Sequence, residues 1–199
     1  MRSGYWLWFL SMLTLGCALR PSPPPPPVPA QTVAVLPPNN RTDDPLTVGS
    51  DSFWEVFANQ SRRVTVPDVL ASETRAQLEQ RGFTVVPTTV VEAAIGDRAP
   101  NSLEEATALT TQGKIGDSAL YIEITRWESD RPLHPSRVLV SFEANLIDGT
   151  TGHVVWTTHQ PLRPVPTPGA ATQWGAYTIA ARQVAGQLLS AWGTQQPTS

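Results

Sequence analysis

Arg137-Val138-Leu139-Val140-Ser141-Phe142-Glu143-Ala144-Asn145-Leu146-Ile147, then Asp148-Gly149-Thr150-Thr151-Gly152, then Val154-Val155-Trp156-Thr157, is the stretch that decides the fold. Val138, Val140, Phe142, Ala144 and Leu146 fall on one face, opposite Ser141, Glu143 and Asn145. A period of two residues is that of a strand with one buried side. Asp148 to Gly152 supplies turn chemistry, so Val154 onward returns as an antiparallel partner. Upstream, Ala119 to Trp127 alternates in the same way, with Leu120, Ile122 and Ile124 together. Three long strands in succession predict an antiparallel portion of sheet.

Working outward, the strands become shorter and helices intervene. Thr32-Val33-Ala34-Val35-Leu36 is an apolar, β-branched run stopped by Pro37-Pro38, as in a buried strand. A polar, turn-rich stretch follows, Asn39 to Pro45, and then an aromatic patch at Phe53, Trp54 and Phe57. Pro67 stands at the N1 position of a helix that passes Leu70 and Leu78 and stops at Gly82. Phe83-Thr84-Val85-Val86 is a second buried strand, closing a βαβ unit. Thr89 with Glu92, and Ser102 with Glu105, have capping-box spacing and open two further helices ending at Gly96 and Gly113. At the other end, Pro161, Pro164, Pro166 and Pro168 act as breakers before a long helix. Its stripe of Trp174, Tyr177, Ala181, Val184, Leu188 and Trp192 is spaced to face a sheet. The expected architecture is one α/β domain over residues 32–193, with a mixed β-sheet in β-α-β-α-β-β-β-α order and helices packed on it.

The amino terminus is an address. Arg2 precedes the apolar run Tyr5-Trp6-Leu7-Trp8-Phe9-Leu10, which is shorter than the roughly 20 residues of a spanning helix. It ends in Leu13-Thr14-Leu15-Gly16-Cys17, which resembles the bacterial lipobox. Residues 1–16 are therefore expected to be a lipoprotein signal peptide, with Cys17 as the lipidation site. Cys17 is the one cysteine of the chain, so an internal disulfide or a thiolate metal cluster is excluded. Ala18, rather than aspartate, follows it; by resemblance to enteric sorting rules this places the anchor in the outer membrane, on the periplasmic side, with the inner membrane as the alternative. Residues 17–31 then form a tether in which Arg20-Pro21-Ser22-Pro23-Pro24-Pro25-Pro26-Pro27-Val28-Pro29 must stay extended, because proline lacks an amide donor and fixes φ. Residues 194–199 are expected to be a disordered tail.

Three segments together carry a family likeness. They are Val33-Ala34-Val35-Leu36-Pro37-Pro38-Asn39-Asn40-Arg41-Thr42; Gly116-Asp117-Ser118-Ala119-Leu120-Tyr121-Ile122; and Leu146-Ile147-Asp148-Gly149-Thr150-Thr151-Gly152-His153-Val154-Val155-Trp156. With the lipobox, the chain resembles the superfamily that groups the TolB amino-terminal domain with curli-secretion lipoproteins, including lipoprotein activators of penicillin-binding proteins and small Gram-negative lipoproteins. The resemblance implies a TolB-like or curli-secretion-like fold and a role in envelope assembly. The segment Ser129 to Ser136 is too short for the membrane hairpins of a curli pore.

Chemistry is sparse. The formal charge is −3, and without a Lys/Arg run nucleic acid is not an expected partner. The chain carries no nucleophile elbow, P-loop or zinc-protease signature. His153 and His159 would lie about 20 Å apart on one strand, too far to share a metal, and His134 sits in a proline-flanked loop. Glu104-Glu105 and Asp43-Asp44 are accounted for by a helix start and a turn. No enzyme activity, cofactor or metal is expected. Asn39, Asn40 and Arg41, at the exit of the first strand, and Phe53, Trp54 and Phe57 are the candidate partner-binding residues. The expected function is a non-catalytic, lipid-anchored binding or assembly module for an envelope protein in secretion, transport or peptidoglycan synthesis. The alternatives are a subunit of a homo-oligomeric export channel and an envelope hydrolase.

Overall fold

In the computed structural model, the described residues are 32–48, 64–96 and 98–190. The leader, Cys17, the tether, the aromatic patch of Phe53, Trp54 and Phe57, Trp192 and the 194–199 tail lie outside them.

The elements run β1 (Thr32–Val35), β2 (Asn39–Asn40), α1 (Val66–Gln80), β3 (Thr84–Val85), α2 (Thr88–Ile95), α3 (Leu103–Gly113), β4 (Ser118–Ser129), β5 (Arg137–Asp148), β6 (Val154–Pro166) and α4 (Gln173–Ser190). The sheet order is β3-β1-β4-β5-β6, with β2 beside β4. β1 pairs in parallel with β3 and β4, and β4-β5-β6 is an antiparallel meander. This is the mixed α/β domain that the alternation predicts. β2 is an addition. After Pro37-Pro38 bends the chain away, Asn39 and Asn40 rejoin β4 opposite Glu123 and Ile124.

Both faces of the sheet are covered, but unequally. Leu120, Ile122, Ile124, Trp127, Val138, Val140, Phe142 and Ala144 are buried against α1 and α4 in the larger core. On the opposite face α2 and α3 cover only the base, over Ala34, Leu36, Ala119, Tyr121 and Ile147. Beyond Tyr121 this face is polar, with Glu123, Ser141 and Glu143 half-buried and Thr157 and His159 exposed. An antiparallel sheet tolerates one solvated face in this way.

Several local expectations are corrected. The N-cap of α1 is Thr65, in a capping box with Asp68, so Pro67 is the second helical residue. Thr89 does not cap α2; its N-cap is Pro87, whose ring carries no hydrogen-bonding group and makes no side-chain cap. Ser102 does cap α3, accepting from Glu105 N at 3.1 Å, while Glu105 reaches one residue further back, to Asn101 N at 2.7 Å. Pro161, Pro164 and Pro166 do not end the strand but lie within β6, which is possible because β6 is an edge. Tyr177, Ala181, Val184 and Leu188 form the buried stripe of α4, whereas Trp174, in its first turn, is 41% exposed.

Candidate partner-binding surface

The base of the domain is a knot of polar turns. Asp117 Oδ2 accepts from Thr32 N at 3.0 Å and from Thr32 Oγ1 at 2.8 Å, and Gly149 N donates to Asp117 O at 2.9 Å. Asp148 Oδ1 accepts from Thr150 N at 3.0 Å and from Thr151 N at 2.6 Å, closing the hairpin. Those bonds hold its carboxyl below the ordinary aspartate value, with the Thr151 amide as the largest cause. The three sequence segments that carry the family likeness thus meet through their backbones, and their shared polar residues brace the fold.

Asn39, Asn40 and Arg41 stand further along, where β2 meets β4. Asn39 Nδ2 donates to Asn101 O at 3.1 Å and to the Tyr121 hydroxyl at 3.2 Å, tying β2 to the start of α3. Burial pushes the Tyr121 phenol above its usual value and keeps it protonated. Asn40 faces its own loop: Oδ1 accepts from Thr42 N at 3.0 Å, and Nδ2 donates to Asp44 O at 2.8 Å. Arg41 is exposed and pairs with the half-buried Glu123. Asn39 and Asn40 therefore spend their polar atoms on the local fold, and Arg41 is the member of the trio that reaches solvent. Tyr121 and Glu123, which complete this cluster, were hidden in the sequence because β4 reads there as a plain alternating strand.

A different surface lies at the far end of the sheet, at the tip opposite the knot. Trp174, Tyr177 and Gln173 from the start of α4, Pro132 and Leu133 from the β4–β5 loop, and Asp44 line a cavity of about 440 Å³. Leu133 is 70% exposed. Tyr177 accepts from Gln173 Nε2 at 2.7 Å and donates to Trp127 O at 3.5 Å, and its ring meets that of Trp127 edge-on at 6.5 Å. Sequence reasoning missed this groove because Trp174 has the spacing of the core stripe. The helix starts beyond the end of the sheet, so its first stripe residue has no strand beneath it.

His134, His153 and His159 are exposed. Among the described residues no three His, Cys, Asp or Glu side chains are placed to hold a metal ion, and no helix is long and apolar enough to cross a membrane.

A family model for GNA1162-like lipoproteins matches residues 56–165, more than half of the chain. The chain belongs to the GNA1162-like lipoprotein family. This bears out the resemblance to small bacterial lipoproteins. The matched region holds β4, the β4–β5 loop, β5 and β6 up to its penultimate residue, but neither β1 nor α4. No curated protein matches the chain. Among solved structures, lipoprotein GNA1162 from Neisseria meningitidis is 18% identical, with 83% of this chain and 99% of that one covered at a TM-score of 0.49. A PelC dodecamer from Paraburkholderia phytofirmans is 17% identical, with 84% and 90% covered and a TM-score of 0.48. E. coli LpoB is 17% identical, with 68% and 59% covered and a TM-score of 0.40. These scores are too low to carry an argument, so the family match alone assigns the chain.

Proposed function

We propose that this chain is a lipid-anchored module on the periplasmic side of the outer membrane that acts by binding an envelope protein, without catalysis of its own. The supporting observation is the coincidence of a lipoprotein-family domain with Gly16-Cys17 at the end of an apolar leader. Acyl chains on Cys17 would confine the domain to a surface, and two or more chains make such attachment stable. A short proline-rich spacer then raises its local concentration near a partner in the same envelope layer. Secretion, transport and peptidoglycan synthesis are the processes such a module serves. Within the domain, Arg41 and the groove at the tip are the exposed features suited to recognition, while Phe53, Trp54 and Phe57 remain candidates from the sequence.

The test is palmitate labelling of the native and Cys17→Ser chains, followed by light scattering of the acylated protein in mild detergent. Label lost with Cys17 and a monomer or small oligomer support the binding module. Label retained in Cys17→Ser overturns the anchor. A discrete assembly of many copies overturns the adaptor in favour of an export channel.

A further inference from the structure

Polar atoms that are spent on the fold elsewhere are left over in the groove at the tip. Asp117, Asp148 and Asn40 use their side chains to close local turns. In the groove, Asp44 Oδ1 accepts from Leu46 N at 2.7 Å, and among the described residues its Oδ2 receives no donor. Gln173 gives Nε2 to the Tyr177 hydroxyl at 2.7 Å, which leaves its Oε1 free to accept. Thr47 is half-buried, and among the described residues its hydroxyl makes no hydrogen bond.

These atoms surround apolar surface. Trp174 is 41% exposed and Leu133 stands on the same rim, whereas Tyr177 is buried with its hydroxyl already engaged. The groove therefore offers one aromatic side chain and one carboxylate. An ammonium cage is built from several ring faces, which are not available here. An apolar protein anchor would cover Asp44, Gln173 and Thr47 and leave their polar atoms without partners, which is costly. The complementary ligand has an apolar face and a rim of hydroxyls. A pyranose ring has this form: its C–H bonds lie against the negative face of an indole, and its hydroxyls donate to carboxylate and amide oxygens. The volume of about 440 Å³ lies within the roughly 300–1,000 Å³ of small-ligand clefts.

We propose that the groove lined by Trp174, Asp44, Gln173 and Thr47 is a glycan-binding site, with a pyranose ring stacked on Trp174 and its hydroxyls donating to Asp44 and Gln173. The position suits a polymer. Thr32, where the tether enters, lies at the base beside the start of β4, and the twelve residues of β4 separate base from tip by about 36 Å at 3.3 Å per residue. The groove thus lies at the end of the domain away from the tether and is open to a chain passing across it. This goes beyond the protein-binding role and does not depend on lipidation.

The experiment titrates two probes, cellotetraose and N-acetylated chitotetraose, into the full-length protein in a detergent without a sugar head group. Ligand-observed saturation-transfer NMR reads the binding. At least one probe is expected to bind saturably, with a Kd of about 1 mM or tighter. Binding of both assigns the site to neutral pyranoses, and binding of chitotetraose alone assigns it to N-acetylated amino sugars. Trp174→Ala weakens binding by about tenfold or more, as for an aromatic anchor. Trp174→Phe restores part of it, because a ring face remains. Asp44→Asn weakens it by about threefold or more, since a bond to a charged acceptor becomes one to a neutral amide. Trp174 is exposed enough to replace without loss of the fold, which circular dichroism verifies. Absence of saturable binding by both probes overturns the proposal. So does binding that Trp174→Ala leaves unchanged, which would put the glycan elsewhere on the protein.

Discussion

Gly149 shows how one atom constrains the base of the domain. A Cβ placed there would lie 2.0 Å from the Gly116 carbonyl oxygen, so the hairpin turn and the entry to β4 approach as closely as two backbones can. Gly149→Ala must push the two segments apart and disturb the bond from Gly149 N to Asp117 O. It should cost about 2 kcal/mol or more, read as a fall in the urea midpoint. The neighbouring Asp148 makes the same turn sensitive to acid. Thr151 and Thr150 hold its carboxyl below the ordinary value, and Ser136 does the same for Asp130 at the other end of β5. A carboxyl whose folded value is depressed contributes stability that is fully present above its unfolded value. That contribution is lost as pH falls through the folded value. The native chain should therefore lose stability as pH drops below about 4. Asp148→Asn should lose less over the same interval, which urea titrations at pH 6 and pH 3 will compare. Equal losses in the two proteins would remove Asp148 from the acid response.

β6 has the opposite problem from that of a buried strand, since among the described residues one of its edges has no partner in the sheet. An exposed row of backbone donors invites pairing with another chain, and edge prolines remove those donors. Pro164 and Pro166 oppose Leu139 and Arg137 in the ladder with β5, and their nitrogens must point away from that partner. Replacing Pro161, Pro164 and Pro166 with threonine should leave the fold intact and increase self-association, seen as a rise in mass by light scattering with unchanged circular dichroism. An unchanged mass would mean that the prolines do not guard this edge. The same prolines mark where the sequence was legible and where it was not. Alternation from Val138 to Leu146 and from Leu120 to Ile124 identified β5 and β4 because a single buried face imposes a period of two. Proline reads as a breaker until the neighbours of a strand are known, and this hides the second half of β6 from the sequence. Trp174 has the spacing of a core residue yet is exposed, because helical periodicity records direction but not how far the sheet extends underneath. Asn39 and Asn40 were legible as the exit of β1. The bond from Asn39 to Asn101 is tertiary, and the one from Asn40 to Asp44 closes a local loop; neither leaves a periodic trace.

At the scale of the whole molecule, the two cores are of unequal depth, and this orders the stability of the domain. The larger one joins α1 and α4 to β4 and β5 through fully buried Leu70, Leu78, Trp127, Ile122 and Leu189. These two helices are further tied by Arg182 Nε to Glu73 at 2.8 Å and by Arg81 to the Leu189 carbonyl. The smaller core holds α2 and α3 through Val91, Ile95 and Ala106, and Ala106 and the half-buried Ala94 contribute little apolar area. Burial stabilises by roughly 25 cal/mol per Å², so the α2–α3 layer is the weaker attachment. Regions with less buried apolar contact open at lower free energy than the global transition. Hydrogen exchange under native conditions should therefore show amides of 88–113 exchanging faster than those of β4, β5, α1 and α4. Val91→Ala should accelerate exchange within 88–113 while leaving the protection of β4 and β5 nearly unchanged. Trp127→Ala should act differently, lowering the protection of all elements together at a cost of about 3–5 kcal/mol, because it removes the largest side chain shared by the sheet and α4. If Val91→Ala lowered protection across β4 and β5 to the same extent, the two layers would be one cooperative unit.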